Sequence, residues 1–409
     1  VGTRRAGIVL CSRGLRAAPR MIYLDHNATT PLEPAALDEM LPHLRQDFGN
    51  PSSAHRLGEE AAAALERARG RVARLVGASG ADEIVFTSGG TESANSAIAS
   101  ALRARAGRRR IVASAVEHAA VLQPLERAAR EGCELELVGV DGEGRLALEH
   151  ALRAIDERCA LVSLIAANNE TGVLLEPEAL AAIGQACARA GALLHLDAVQ
   201  LAGKLPLELA RGPADCASIS AHKFGGPKGA GALWLRRGGE FHALLVGGGQ
   251  ERERRAGTPN VAAIAGMGRA AELARAWLAQ GAGPARLTEL RTRLELGLLG
   301  RVPGAELNAA RAARLPNTAS IRFPGLQAEA LQMLLDAQGV AVSTGSACGS
   351  RRRAPSHVLL AMGRTREAAN QTLRFSLGRG TNDADVDGAL ELVAAAAAQL
   401  RALAPAEPA

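Results

Sequence analysis

The sequence predicts an α/β protein: a large domain on a mostly parallel, doubly covered sheet, followed by a smaller α+β domain. Three observations carry this. From about residue 60 to residue 236, short apolar segments alternate with amphipathic helical stretches. Strands that are apolar throughout and separated by helices mark a parallel sheet covered on both faces. Beyond a long helical stretch at 261–280 the pattern turns to mixed short strands and helices, as in an α+β unit. A length of 409 residues, with 47% hydrophobic and 22% charged, suits two or three units with sizeable cores and argues against disorder.

In chain order, residues 59–76 read as a helix, and Ile84-Val85-Phe86 as a short buried strand running into a glycine turn and another helix. Strands are expected at 110–114, 134–140, 159–166, 192–197, 215–220 and 231–236, with helices at 118–130, 146–156 and 177–190. The second unit should hold helices at 284–298, 327–338, 365–370 and 383–404 and strands at 317–323, 340–343 and 372–377. The expected boundaries are 31–275 for the large domain, with 21–30 and 276–409 forming the small one. Residues 1–20 are a basic, acid-free extension. They read as disordered, as an upstream extension ahead of Met21, or as an organelle transit peptide.

Composition excludes several function classes. The net charge of +6 suggests nucleic-acid binding, but five of the 48 basic residues lie in 1–20 and the remainder is close to neutral. Aromatic residues make up 2%, too few to build base-stacking platforms. Cys11, Cys133, Cys159, Cys187, Cys216 and Cys348 form no C-x-x-C pair. Neither a disulfide framework nor a metal site is expected, and a reducing, cytoplasmic setting is the default. No apolar run is long enough to cross a bilayer.

Of the 48 basic residues only Lys204, Lys223 and Lys228 are lysines. Chemistry that needs a primary amine therefore has three candidates. Lys228 lies in a Gly-Pro-Lys-Gly turn and Lys204 at a Gly-Lys-Leu-Pro junction, and both read as surface residues. Lys223 follows a strand within Ser218-Ile219-Ser220-Ala221-His222-Lys223-Phe224 and is the best candidate for a desolvated nucleophile.

Other segments gather at the same strand ends, where ligands bind in open α/β sheets. Thr87-Ser88-Gly89-Gly90-Thr91-Glu92-Ser93 opens a helix and can hold a phosphate on free backbone N–H groups, or be an ordinary turn capped by Ser or Thr. Asp197, ending an apolar strand, can keep a pyridine nitrogen protonated or cap the next turn. His118, after Glu117, can cover a flat ring and move protons, or be structural. A phosphate turn, a carboxylate, a lysine and a flat imidazole together match the needs of pyridoxal 5′-phosphate (PLP). In the second unit, Gly345-Ser346-Ala347-Cys348 precedes Arg351-Arg352-Arg353, a setting that lowers a thiol's pKa; a passive thiol beside a solvated basic loop is the alternative. Arg374 can clamp a substrate carboxylate or form an ordinary ion pair.

These residues, with Tyr23-Leu24-Asp25-His26-Asn27-Ala28-Thr29-Thr30, Gly49-Asn50-Pro51-Ser52-Ser53-Ala54-His55, Asn168-Asn169-Glu170-Thr171-Gly172, Gly247-Gly248-Gly249-Gln250-Glu251 and Arg255-Ala256-Gly257-Thr258, resemble the PLP-dependent cysteine desulfurases of the NifS/IscS type, in the class V aminotransferase family. The likeness runs from Tyr23 to about Asp387 and implies the PLP-dependent transferase fold of type I. By resemblance, Lys223 would form the Schiff base with PLP, Asp197 would pair with the pyridine nitrogen, Gln200 would bond the phenolic oxygen and His118 would stack on the ring. Gly90, Thr91, Ser220 and His222 would bind the phosphate, with Thr258 reaching that of a second subunit, which implies a homodimer. Asn169 and Arg374 would hold the substrate carboxylate. Cys348 would take sulfur from L-cysteine as a persulfide, releasing L-alanine, and pass it to an iron–sulfur scaffold or a tRNA-thiolation relay. Neither direct nucleic-acid binding nor membrane association is implied. Two departures stand out: Arg353-Ala354 precede Pro355-Ser356 where housekeeping members carry Leu-Glu, which bears on acceptor choice, and Glu253 stands where a small residue is common. The rival readings are a selenocysteine lyase or other class V PLP enzyme, and a non-catalytic sulfur-relay partner. The thiol at Cys348 argues against the first, and the intact Lys223, Asp197 and Cys348 against the second.

Overall fold

The computed structural model describes residues 21–345 and 355–403. The expectations for residues 1–20, Cys348 and Arg351–Arg353 lie outside the described residues. Strands are β1 (Ile22–Tyr23), β2 (Ile84–Thr87), β3 (Arg110–Ser114), β4 (Glu134–Val138), β5 (Cys159–Ile165), β6 (Leu193–Asp197), β7 (Cys216–Ser220), β8 (Gly231–Leu235), β9 (Glu306–Leu307), β10 (Thr318–Arg322), β11 (Val340–Ala341) and β12 (Thr372–Ser376). Helices are α1 (Pro34–Arg45), α2 (Arg56–Leu75), α3 (Gly90–Ala104), α4 (Ala119–Arg130), α5 (Leu148–Ala154), α6 (Pro177–Ala190), α7 (Val261–Ala279), α8 (Ala282–Arg301), α9 (Ala328–Ala337), α10 (His357–Ala361), α11 (Arg366–Asn370) and α12 (Asp383–Leu403).

The large sheet has the order β2-β8-β7-β6-β5-β3-β4. From β4 to β7 every neighbour pair is parallel, while β8 runs antiparallel to both β7 and β2. The sheet is mostly parallel, as the sequence predicts; the exception is β8, whose link from β7, residues 221–230, is too short for the crossover a parallel pair needs. The carboxyl ends of β2, β3, β5, β6 and β7 therefore meet at one edge. Central strands are apolar because both faces are covered: all seven residues of β5 are buried. Helix α6 starts on Pro177 and ends on Gly191 in the left-handed region (φ 67°), an arrangement that fits the free N–H at one end and the reversal at the other. Helices α2 and α7 cross so closely that a Cβ on Gly268 would stand 2.6 Å from Ala68 Cα.

A second core joins Leu24 to residues of α8, α9, α12 and the antiparallel sheet β12-β10-β9. The amino-terminal segment belongs to it through β1, which pairs with β11, and through a bridge from Asp25 to Ser376. The segment then crosses to the large sheet's functional edge. Helix α1, which has Pro34 in its first turn and Pro42 inside, and the short pairs β1–β11 and β9–β10 are too brief or too broken to stand out in the hydrophobic pattern. No helix among the described residues is long and apolar enough to cross a membrane.

Candidate active site

Three backbone segments build the floor of the site. Helix α3 begins directly after β2, with Gly89 at the cap position and no side chain capping it. The cap residue itself offers no side chain, while Thr87 Oγ1 accepts from Gly89 N–H at 3.4 Å, so the first helical N–H groups can serve a ligand. Thr87 Oγ1 and Ser93 Oγ, 2.8 Å apart, tie the strand end to the first helical turn. The packing is too tight for side chains: a Cβ on Gly231 would stand 2.5 Å from Gly89 Cα, and one on Gly90 would stand 2.7 Å from Val199 Cγ2 and 3.5 Å from Ser220 Cβ. Gly90, Ser220 and the exposed Thr91 therefore share one corner.

Lys223 closes the short 3-10 turn Ala221–Lys223 after β7. Its Nζ donates to the carbonyls of Asn27 (2.5 Å) and Ala28 (2.9 Å). Residues 27–30 strap this turn down. His222 Nδ1 meets Thr29 Oγ1 at 3.1 Å, the Thr30 N–H donates to His222 O at 2.9 Å, and Gly225 N–H donates to Thr30 Oγ1 at 2.8 Å. Burial, then the charge of Lys223, push His222 down to about 4, so it faces the site as a neutral ring.

Asp197 ends β6, beside Ser218 of β7 and Ile165 of β5. It is buried, and its Oδ1 accepts from Val199 N–H at 3.0 Å. Burial raises its carboxyl to about 6, against the pull of the Val199 N–H and of Lys223. Below it, His195 links three strands, with Nδ1 on Ser163 Oγ and Nε2 on Ser218 Oγ, each at 2.8 Å. His118 caps α4, its Nδ1 accepting from Ala120 N–H at 3.1 Å. Burial, then Lys223 and His357, hold its pKa below the usual imidazole range. Glu117 is fully buried: Oε1 accepts from Ser114 Oγ and Ile165 N–H, each at 2.7 Å, and Oε2 has no partner among the described residues. Burial pushes this carboxyl up to about 8.

Gln200 donates from Nε2 to Asn27 O at 2.9 Å, the carbonyl that also receives Lys223. Its Oε1 accepts from Lys204 Nζ at 2.5 Å. This corrects the surface reading of Lys204, which is 7% exposed and also donates to Asn27 Oδ1 at 2.8 Å. A lysine at a Gly-Lys-Leu-Pro junction looks like surface locally; only the fold brings the strap over it. Arg374, on β12, is buried and pairs with Asp25 at 2.7 Å while donating to Asn169 O at 3.0 Å. Both alternatives meet here, since an ion pair exists yet Nε has no partner among the described residues. The loop bearing Asn169 is organised by Asn168, whose Oδ1 accepts from the N–H groups of Glu170 and Thr171, both at 2.9 Å. Thr258 is exposed.

Comparison with known proteins decides the kinship. The family described as aminotransferase class V matches residues 22–388. The chain belongs to the class V aminotransferase family. A cysteine desulfurase of Cereibacter sphaeroides is 50% identical over 385 residues, covering 94% of this chain and 97% of that protein. A solved NifS-like protein superposes with a TM-score of 0.85 at 36% identity, covering 94% of this chain and all of the other. A structure described as SspA in complex with cysteine gives a TM-score of 0.74 at 29% identity, over 87% of this chain and 98% of that one. Within the family the chain groups with the cysteine desulfurases of NifS type.

Class V aminotransferases are PLP enzymes, and the residues present fit that group. A buried carboxylate at the sheet edge, on which Lys223 is the acting charge, suits a protonated ring nitrogen. A backbone corner that admits no Cβ at Gly90 or Gly231 suits a phosphate. Among the described residues no cluster of His, Cys, Asp or Glu could hold a metal ion. The pairing of Glu251 with Arg69 escaped the sequence reading. Glu251 makes a bidentate pair with Arg69 (2.6 and 2.8 Å) and accepts from Phe86 N–H at 2.9 Å, fixing the glycine-rich loop that leads to Thr258. Glu251, Arg252 and Glu253 all have positive φ, so the small residue common at Glu253's position has a conformational reason.

Proposed function

We propose that the chain is a cysteine desulfurase that moves the sulfur of L-cysteine to Cys348 and releases L-alanine. The observation that carries this reading is the convergence of Lys223 and Gln200 on the Asn27 carbonyl, beside Asp197, in a chain with three lysines. PLP, when bound, supplies an aldehyde for an amine to join and a ring that draws electrons from the substrate carbon. Lys223 would hold the aldehyde, Asp197 the ring nitrogen, Gln200 the phenolic oxygen and His118 a ring face. Gly90, Thr91, Ser220 and His222 would hold the phosphate. The exposure of Thr258 supports its contribution to the site of a second copy, and hence a homodimer.

Each residue's part follows from its chemistry. Arg374 carries five N–H donors, of which Asp25 and Asn169 O take one each; the rest can receive the substrate carboxylate alongside Asn169. Lys223 Nζ, when not holding the aldehyde, would be an amine able to move a proton to or from substrate carbon. His118, kept neutral by burial and with Nδ1 accepting from Ala120 N–H, carries its proton on Nε2 and can donate there. The Cys348 thiolate attacks the substrate sulfur. An S–S bond forms, the C–S bond breaks with its electron pair going to carbon, and that carbon gains a proton. Cysteine and thiol become alanine and persulfide, with no external oxidant or reductant. Sulfur then passes to an acceptor protein, an iron–sulfur scaffold or a tRNA-thiolation relay, in the reducing cytoplasm that unpaired cysteines favour.

The direct test is spectroscopic. Incubation with PLP should give a visible absorbance band that Lys223→Ala abolishes and Lys228→Ala leaves in place. A wild-type protein that develops no such band would refute the reading.

A further inference from the structure

We propose that Lys204 is a positioning residue for the cofactor site: its buried amine fixes the Gln200 carboxamide and Asn27 in the orientation that Lys223 and the cofactor's phenolic oxygen require. The inference rests on the cofactor assignment above.

The argument is one of donors and acceptors. Charged or neutral, a lysine amine carries at least two N–H donors, and two amide oxygens facing it take them. Lys204 Nζ faces two, Gln200 Oε1 at 2.5 Å and Asn27 Oδ1 at 2.8 Å. With its oxygen taken, Gln200 must turn its NH2 the other way, where one N–H reaches Asn27 O at 2.9 Å and the second is left for an acceptor. A half-turn of that amide would set donor against donor. Asn27 is fixed just as fully. Its Oδ1 also accepts from Asn317 Nδ2 at 3.1 Å, and its Nδ2 donates to Asn169 O at 3.1 Å and Thr318 Oγ1 at 2.9 Å. Its backbone carbonyl is thereby held where Lys223 Nζ meets it at 2.5 Å. Lys204 thus touches the amide assigned to the phenolic oxygen and stands one residue removed, through Asn27, from the nucleophilic amine.

Stability does not explain this lysine. It is buried, the charged groups that act on it are Lys223 and Arg374, both positive, and two neutral amides receive its protons. A buried amine without a carboxylate is a costly way to hold a core together, and a methionine of similar length would pack there without that penalty. A methionine could not tell one end of an amide from the other.

The test uses PLP-loaded wild type, Lys204→Met, Gln200→Leu and the double variant, and reads the pH midpoint at which the protein-bound cofactor's visible band changes. Without an oriented donor, the phenolic oxygen holds the proton it shares with the linkage more tightly. Each single variant should therefore raise the midpoint by about one pH unit, a tenfold change in proton affinity. The double variant should shift no further than the larger single, because both substitutions remove one and the same donor. An unchanged midpoint in Lys204→Met, or shifts that add in the double variant, would overturn the proposal. If Lys204→Met does not fold or load, Lys204→Arg keeps a side chain that carries donors alone. It should hold the wild-type midpoint, and a midpoint moved by a full unit would overturn the proposal equally. A wild type with no visible band removes the cofactor assignment and this inference with it, whereas a wild-type band indifferent to Lys204 removes this inference alone.

Discussion

Replacing Glu117 by glutamine should flatten the stability of this protein against pH across the neutral range. The carboxyl is fully buried and held up to about 8 by its burial, against 4.5 for an exposed glutamate. Between those values the folded state keeps a proton that the unfolded chain releases, so stability falls as pH rises. The contribution is complete below 4.5 and gone once pH passes the folded value. At about 1.4 kcal/mol per pH unit, the interval is worth about 5 kcal/mol. Glutamine is neutral throughout, and its oxygen can keep the bonds from Ser114 Oγ and Ile165 N–H. Asp197, raised to about 6, adds a weaker dependence of the same sign over a more acidic range, and it stays in both proteins. Urea unfolding followed by tryptophan fluorescence, from about pH 5 to about pH 9, reads the difference directly. The wild type should lose about 4 kcal/mol relative to Glu117→Gln between pH 5 and pH 8. Parallel profiles would refute the assignment of a neutral carboxyl at this position.

Other substitutions probe separate parts of the account. Arg69→Met leaves Glu251 buried without its partner and should cost about 3–5 kcal/mol in the same unfolding assay, much of it recovered in Arg69→Met with Glu251→Met. Gly231→Ala drives a methyl into Gly89 and should loosen PLP retention on dialysis, whereas Gly238→Ala, with open space around its Cβ, should not change it. Asp197→Asn keeps the shape but not the charge and should weaken PLP binding by about 10- to 100-fold, measured by equilibrium titration of the visible band.

Much of this fold is legible because its signals are local. Strand β5 is a run of mostly apolar residues between helices, and α6 carries its start and stop in Pro177 and Gly191. Lys223 and Asp197 stand out for a similar reason, as polar residues directly following apolar strands whose ends must meet at one edge. What the pattern hides is burial imposed from a distance. Lys204 is covered by residue 27, from the far end of the chain, and Glu251 by Arg69 from α2, so neither burial leaves a mark on neighbouring residues. The polar run Asp25–Thr30 likewise carries no local sign that it straps the Lys223 turn and pairs with Arg374. The reversed direction of β8 escapes because periodicity carries no strand direction.

The most direct test of the central claim is the fate of sulfur on Cys348. Wild-type protein loaded with PLP and given L-cysteine should release L-alanine, and the peptide containing Cys348 should gain the mass of one sulfur atom, removable by a thiol reductant. Cys348→Ala should retain the visible cofactor band, gain no sulfur and lose sustained alanine release. Equal alanine release by Cys348→Ala, or a wild-type peptide of unchanged mass, would contradict transfer through this thiol.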